Sequence, residues 1–164
     1  SIFTLAKLGK LVYCFSIEIR QRCRVMTFEN SILVKASRSQ VYQLYRDVEN
    51  WKEWDQEVKA SKISSEFQEG CSGFLTPSKG PTAKIKIVKV CQDVSFTVVS
   101  KLPFCCMCFE HELIDEGNLT RVIHRVSFSG KLRFLFGFLI GNQIKKGLPQ
   151  TLQGLKNRVE NNHV

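Results

Sequence analysis

The sequence predicts an α+β domain: one strand, two short helices, a run of about six strands and a long C-terminal helix. Three observations carry this reading. Much of the stretch 83–130 alternates apolar with polar residues, the period of half-buried strands. Ser37 and Gln40 stand at capping-box spacing just before apolar residues at helical intervals. Leu148, Leu152, Leu155 and Val159 form a single apolar stripe close to the C-terminus.

Residues 1–25 are apolar and basic, with Lys7, Lys10, Arg20, Arg22 and Arg24 against Glu18. No small-residue cleavage site follows a clean apolar core there. They are read as an N-terminal extension, either sequence upstream of a natural start at Met26 or a helix or strand lying on the surface. The domain is expected over 26–164. Residues 28–36 read as a strand with Phe28, Ile32, Val34 and Ala36 on one side. Val41, Leu44, Tyr45 and Val48 then follow at i, i+3, i+4 and i+7, a short amphipathic helix capped by Ser37. Asn50-Trp51 to Trp54-Asp55 continues as a turn and a second short helix. Asp47 and Asp55 flank that turn and read as capping groups. Residues 57–69 alternate like a strand, with Gly70, Gly73 and Gly80-Pro81 as breaks. Residues 83–90 and 94–102 form a hairpin around Gln92-Asp93.

The next hairpin turns at Asp115-Glu116-Gly117-Asn118. Pairing Ile114 with Leu119 sets His111 opposite Val122, Phe109 opposite His124 and Cys105 opposite Phe128. Glu112 then faces Arg121, and Glu110 lies diagonal to Arg121 and Arg125. Apolar groups meet on one face and opposite charges on the other, so a one-residue slip would destroy both patterns. Gly130 ends the hairpin, and residues 131–160 read as a helix that Pro149 kinks or divides. Its first part, Phe134 to Ile140, is apolar nearly all round, more than one sheet contact requires.

Composition excludes several classes. With 164 residues, 43% hydrophobic and 24% charged, the chain is neither a disordered tail, a collagen-like repeat nor a disulfide mini-protein. No apolar run reaches the roughly 18–20 residues of a membrane span. The net charge of +9 favours solubility and loose attraction to anionic surfaces. Basic residues mostly alternate with apolar ones, as in Lys84-Ile85-Lys86-Ile87, which is a solvated strand face; no specific nucleic acid is expected. Seven cysteines without regular spacing point to a reducing cytoplasm. In a strand, Cys106 and Cys108 point one way and Cys105 the other, and no second pair completes a tetrahedral site. Small buried or half-buried thiols are the expectation, with no metal and no cofactor.

At this point the chain resembles the polyketide cyclase/dehydrase and lipid-transport superfamily, which includes the START-related and birch-pollen-allergen-like proteins. The resemblance rests on "ILVKASRSQVYQLYRDVENWKEWD" (32–55), "EGCSGFL" (69–75), "FEHELIDEGNLTRVIHRVSFSG" (109–130) and "LPQTLQGLKNRVE" (148–160). It covers about residues 28–160 and is specific for fold, since these motifs are structural. It implies a helix-grip fold: a strongly curved antiparallel sheet of six to seven strands wrapped around the C-terminal helix, with a hydrophobic cavity between them. Members bind lipids, sterols, quinones, hormones or polyketides, and some catalyse cyclisation or dehydration. No shared catalytic signature exists to carry over.

A curved sheet and one helix leave space that only large side chains fill. The inward residues expected to line it are Ile85, Ile87, Phe96, Val98, Phe109, Leu113, Val122, Val126 and Phe128, with Trp54, Phe134 and Phe138 closing the mouth. Each could equally be packed core, since ligand pockets are themselves mostly apolar. His111 and His124 lie on the same face, diagonally adjacent, as satisfied core histidines or as groups orienting a ligand carbonyl or hydroxyl. The functions that follow are a noncatalytic carrier or sensor of a lipid, quinone or polyketide-like molecule, or a polyketide-type cyclase/aromatase or dehydratase using His111 or His124 as acid or base. The absence of a nucleophile–base set favours the carrier. The basic balance keeps a ribosome- or protein-interaction module, and a transient membrane-surface contact, as further expectations.

Overall fold

The computed structural model describes residues 26–161. The expected N-terminal extension, residues 1–25, lies outside the described residues. Strand β1 (Met26–Val34) leads into α1 (Arg38–Arg46), a 3-10 helix (Val48–Glu53) and six further strands. These are β2 (Val58–Ile63), β3 (Ser72–Pro77), β4 (Ala83–Cys91), β5 (Ser95–Leu102), β6 (Cys105–Asp115) and β7 (Thr120–Gly130). Helix α2 (Arg133–Asn161) closes the fold. The strands make one antiparallel sheet in the order β1-β7-β6-β5-β4-β3-β2. Register shifts after Val58 and after Ile87 bend it. The helix lies across β1 and β7 on the sheet's inner face, which is the helix-grip arrangement.

Local chemistry explains the entry. Ser37 Oγ accepts from the Gln40 N–H, and Gln40 Oε1 accepts from the Ser37 N–H at 2.8 Å, so two orphan amides of α1 are satisfied at once. The C-terminal end of α2 is then clasped to the β1–α1 junction. Glu160 Oε1 accepts from the Lys35 N–H at 2.7 Å, and Lys156 Nζ donates to the Leu33 carbonyl at 3.0 Å. Thr120 Oγ1 donates to the Ala36 carbonyl from β7 at 2.7 Å. In the middle, Asp55 Oδ1 accepts from Thr151 Oγ1 of α2 at 2.7 Å and from the Glu57 N–H at 3.0 Å. Asp55 thus serves structure, as expected. The Asp47 carboxylate instead takes Asn50 Nδ2 and gives the 3-10 helix no cap.

Three expectations need correction. The β6–β7 register is two residues away from the one read from the sequence: Asp115 pairs with Thr120, and the loop is Glu116–Leu119. Turn chemistry decides this. Gly117 takes the left-handed position at φ +76, Asp115 Oδ1 accepts from its N–H, and the Glu116 N–H donates to the Leu119 carbonyl at 2.9 Å. A two-residue shift leaves every side chain on its expected face but changes its partner. Glu112 therefore faces Ile123 and not Arg121, and Arg125 comes directly opposite Glu110 where a diagonal was expected. Arg125 gathers Glu29, Glu110 and Glu112, while Arg121 pairs with Glu116. The second correction is a strand. Residues 57–69 hold only the short β2, and β3 escapes a reading by alternation because Gly73 interrupts it. That glycine is required, since a Cβ there would run into the Lys62 carbonyl oxygen of β2. Third, α2 runs through Pro149 as one helix. Pro149 lies on its exposed side beside Lys145, whose freed carbonyl water can satisfy.

The core falls into two groups. The larger joins α1, the 3-10 helix, the middle strands and the C-terminal half of α2 through Val34, Val41, Tyr45, Trp51, Ile87, Phe96, Leu152 and Leu155. The smaller joins β1, β6 and β7 to the N-terminal half of α2 through Cys105, Val126 and Phe128. Its surrounding members, Met26, Phe28, Met107, Phe109, Phe136 and Ile140, are only half-buried.

Gly154 tests how closely α2 is seated. A methyl group there would meet the Trp54 carbonyl oxygen. Glycine to alanine inside a helix ordinarily stabilises by up to about 1 kcal/mol. Here Gly154→Ala is expected to destabilise by about 1–3 kcal/mol as an overpacking change. Urea unfolding decides the sign; a raised midpoint would show that the helix stands further off.

Candidate functional site

Register builds the interior. Asn30 on β1 pairs with His124 on β7, His124 with His111 on β6, and His111 with Phe96 on β5. These four residues form one row across the inner face. The two histidines are therefore directly opposite each other and not diagonal, with ring centroids 4.6 Å apart and ring planes at 77°. Phe96 stacks flat on His111 at 4.1 Å.

Tyr45 descends onto this row from α1. Its helix stripe turns the ring inward, where it meets Trp54, Phe96, His111 and His124 with centroids 4.9–5.9 Å away. Tyr45 Oη and His124 Nε2 stand 2.6 Å apart, a hydrogen bond whose direction the imidazole tautomer sets. Phe67, from the loop after β2, closes over Phe96 at 5.1 Å. Two polar atoms in the cluster are buried without a hydrogen-bond partner among the described residues: Trp54 Nε1 and His111 Nδ1.

Burial dominates the electrostatics. It pushes His124 down to about 3. His111 is held well below the usual imidazole range, by burial first and by His124 second, with the Phe96 backbone partly offsetting them. Tyr45 is raised well above the ordinary phenol value by burial and by the Asp55 carboxylate. At neutral pH the whole row is uncharged. It can hydrogen-bond a carbonyl or hydroxyl, but charging either ring in place is costly.

Most of the expected lining residues face this interior. Trp54, Ile85, Ile87, Phe96, Val98, Leu113, Val122, Val126, Phe128 and His124 are buried. Phe109 and His111 are half-buried, and Phe109 touches both core groups. Three aromatic positions differ from expectation. Trp54 is deep beside Tyr45 and not at a mouth. Phe134 and Phe138 point outward, at 60% and 76% exposure, and do not close the space between helix and sheet. Helical period is the reason: Phe136, Ile140 and Ile144 take the inner side, so positions 134 and 138 must take the outer one. Tyr45 and Asn30 join the site without any local signal of a role in it. Tyr45 is legible as a stripe residue, but its hydroxyl partner lies 79 positions away.

Elsewhere, an open groove of about 380 Å³ lies over Glu49, Lys52, Ser61, Lys62 and Phe74, away from this row. The five cysteines among the described residues are unpaired, with Cys105 buried and Cys106 and Cys108 half-buried on the other side of β6. Among the described residues, no His, Cys, Asp or Glu group has the form of a metal site, and no helix is long and apolar enough to cross a membrane.

A curled sheet gripping a C-terminal helix, with a neutral polar row set in an apolar inner face, defines a helix-grip domain. The chain belongs to the family described as polyketide cyclase / dehydrase and lipid transport, which matches residues 26–160. No curated protein sequence matches it. Among solved structures it is similar to the protein TTHA0849 from Thermus thermophilus, at 16% identity and TM-score 0.68, covering 85% of this chain and 100% of that one. It is also similar to the Zhui aromatase/cyclase from Streptomyces sp. R1128, at 12% identity and TM-score 0.69, covering 84% and 94%. A third is a norcoclaurine synthase point mutant from Thalictrum flavum in complex with a transition-state analogue, at 12% identity and TM-score 0.68, covering 87% and 98%. At these identities the likeness is one of fold.

The neutral histidines imply an acid-sensitive fold. Unfolded, each imidazole protonates near 6.5; folded, His124 does so only near 3 and His111 well below its usual range. Below about pH 6.5 the unfolded chain therefore binds more protons, and stability present above that pH is lost progressively as the pH falls towards 3. Asp55, raised chiefly by burial, acts in the opposite sense at the acid end. Tm is expected to fall between pH 7 and pH 5, by up to about 1.4 kcal/mol of stability per pH unit for each imidazole. His111→Phe, which keeps the stack on Phe96, is expected to flatten the profile. An unchanged Tm across that range would show the imidazoles to be solvated. Tyr45→Phe is expected to cost about 1–3 kcal/mol by leaving His124 Nε2 without its partner, readable by chemical denaturation.

Proposed function

We propose that this protein binds a hydrophobic small molecule of lipid, quinone or polyketide type between the inner face of the sheet and α2, as a carrier or sensor. The observation that carries the reading is the pair of buried, unpartnered polar atoms, Trp54 Nε1 and His111 Nδ1, in an otherwise apolar interior. Such atoms are costly unless something bonds them. A ligand carbonyl could accept from the indole N–H, and a hydroxyl could bond the imidazole nitrogen. The neutral state of both histidines favours an uncharged polar group over a carboxylate.

The side of the interior suited to the apolar body is the one towards the N-terminal half of α2. There Met26, Phe28, Met107, Phe109, Phe136 and Ile140 are half-buried, while the ring cluster around Tyr45 is closed. A guest there would cover the half-exposed side chains, and each buried methylene would contribute about 0.8 kcal/mol. The unpaired cysteines agree with a cytoplasmic location.

The cyclase or dehydratase reading has one observation in its favour, the Tyr45–His124 couple at 2.6 Å. Against it, burial makes both imidazoles weak bases and Tyr45 a weak acid at neutral pH, far from the matched values that acid–base catalysis uses. The carrier reading is therefore preferred.

Native mass spectrometry with organic extraction is expected to find a co-purifying lipophilic molecule in a one-to-one complex. Protein that emerges free of any guest, and that also fails to bind fluorescent fatty acids and a short-chain quinone, would sink the reading. His111→Phe is expected to weaken binding of a hydroxyl-bearing guest about tenfold, the worth of one hydrogen bond. His111→Ala and His124→Ala separate carrier from enzyme: full turnover of a cyclisable chain by both variants would exclude acid–base catalysis by these rings.

A further inference from the structure

The N-terminal half of α2 carries a surface that the interior does not use. Phe134, Leu135, Phe138 and Leu139 are 60%, 49%, 76% and 62% exposed. At 100° per residue they fall within an arc of about 140° on the side opposite Phe136, Ile140 and Ile144. Phe104, 77% exposed, extends the patch from the turn joining β5 to β6. The Phe104 carbonyl accepts from the Leu132 N–H at the foot of α2, so the turn and the helix start are one unit. Phe104 holds φ at +52, a backbone region that favours glycine. A bulky aromatic ring is thus held out into solvent from a strained turn. Contiguous large apolar groups on a surface mark an interaction site.

Charge identifies the partner. Between residues 117 and 159 there is no Asp or Glu. Over α2 and its approach stand Lys131, Arg133, Lys145, Lys146, Lys156 and Arg158. The Arg133 guanidinium lies 4.4 Å over the Phe134 ring. Lys145 and Lys146 fall on the same side of the helix as the patch, about 10 Å further along it. Lys101 is exposed close to Phe104 at the end of β5. Aromatic and aliphatic groups ringed by lysine and arginine complement an anionic lipid surface, where the rings enter the acyl boundary and the cations meet headgroups. Glu57 reaches α2 at Gln143 and Gly147, on the side of the helix away from Phe134 and Phe138. A second copy of the chain would bring two basic helices together. Residues 1–25 are basic as well, so charge favours neither as the occupant.

We propose that Phe104, Phe134, Leu135, Phe138 and Leu139, rimmed by Lys131, Arg133, Lys145 and Lys146, dock this protein on an anionic lipid bilayer. The surface stands apart from any guest in the interior. It does lie over the half-buried end of the sheet–helix contact, so docking would bring that end to the membrane.

The full chain is tested by flotation with vesicles of phosphatidylcholine alone and of phosphatidylcholine mixed with phosphatidylglycerol. It is expected to partition onto the mixed vesicles, less at high salt, and poorly onto the neutral ones. The double variant Phe134→Ser/Phe138→Ser, at exposed positions, is expected to keep the native Tm and lose binding at least about tenfold. Lys145→Glu/Lys146→Glu is expected to remove the preference for anionic lipid. Phe138→Trp provides an independent reading, since brominated lipid should quench it whereas Trp51 and Trp54 are buried. Undiminished binding by the serine variant, or no quenching of Phe138→Trp, would overturn the proposal. So would a concentration-dependent dimer that the serine variant abolishes in the absence of any vesicle binding, which would make the patch a contact between copies. These readings hold whether or not the interior proves to carry a ligand.

Discussion

The pairing of β6 with β7 is the constraint on which the interior depends. Cys105 to Asp115 run against Thr120 to Gly130 without a break. That single alignment sets His111 against His124 on one face and Glu110 against Arg125 on the other. It holds because the Gly117 turn and the alternation of both strands agree, so no one-residue slip satisfies both. The rest of the row follows from it: Asn30 comes to His124 through β1, and Phe96 comes to His111 through β5.

Once aligned, the two imidazoles are governed by desolvation. Each loses water on folding, and the bond to Tyr45 supplies one neutral partner for His124. No carboxylate faces the rings closely enough to hold them charged, and the Asp55 carboxylate is engaged by Thr151 and the Glu57 amide. The interior is therefore polar without being ionic. A neutral polar row suits recognition of a ligand's uncharged head, and it makes the same residues poor proton shuttles. Catalysis and binding would need opposite arrangements here, which is why one geometric fact bears on both.

Helix α2 divides its labour along its length. Towards the C-terminus it is buried through Leu152, Leu155 and Val159 and is tied by Lys156 and Glu160 to the start of the domain. Towards the N-terminus it meets β1 through Gly137 and Gly141, where any side chain would collide with Met26 and Phe28. Small residues on one side let the helix come close, and large ones on the other are left in solvent. The nearly all-round apolar stretch from Phe134 to Ile140 thus serves two environments, where a single sheet contact would have used only part of it.

Legibility followed the range of the interaction. The α1 cap, the strand alternation, the faces of β6 and β7 and the stripe of α2 are set by residues a few positions apart, and all could be read from the chain. Strand β3 could not, because Gly73 is there to accommodate the Lys62 carbonyl of β2 and leaves no alternation. The sequence by itself determined the order of the elements other than β3, the side on which the residues of β6 and β7 lie, and the presence of two histidines on an apolar face. Only the tertiary structure decided which residues meet across that face: the register, the Tyr45–His124 bond, the depth of Trp54 and the outward turn of Phe134 and Phe138. Side-chain direction is a property of local periodicity, whereas contact depends on loop geometry and on how closely distant elements can approach.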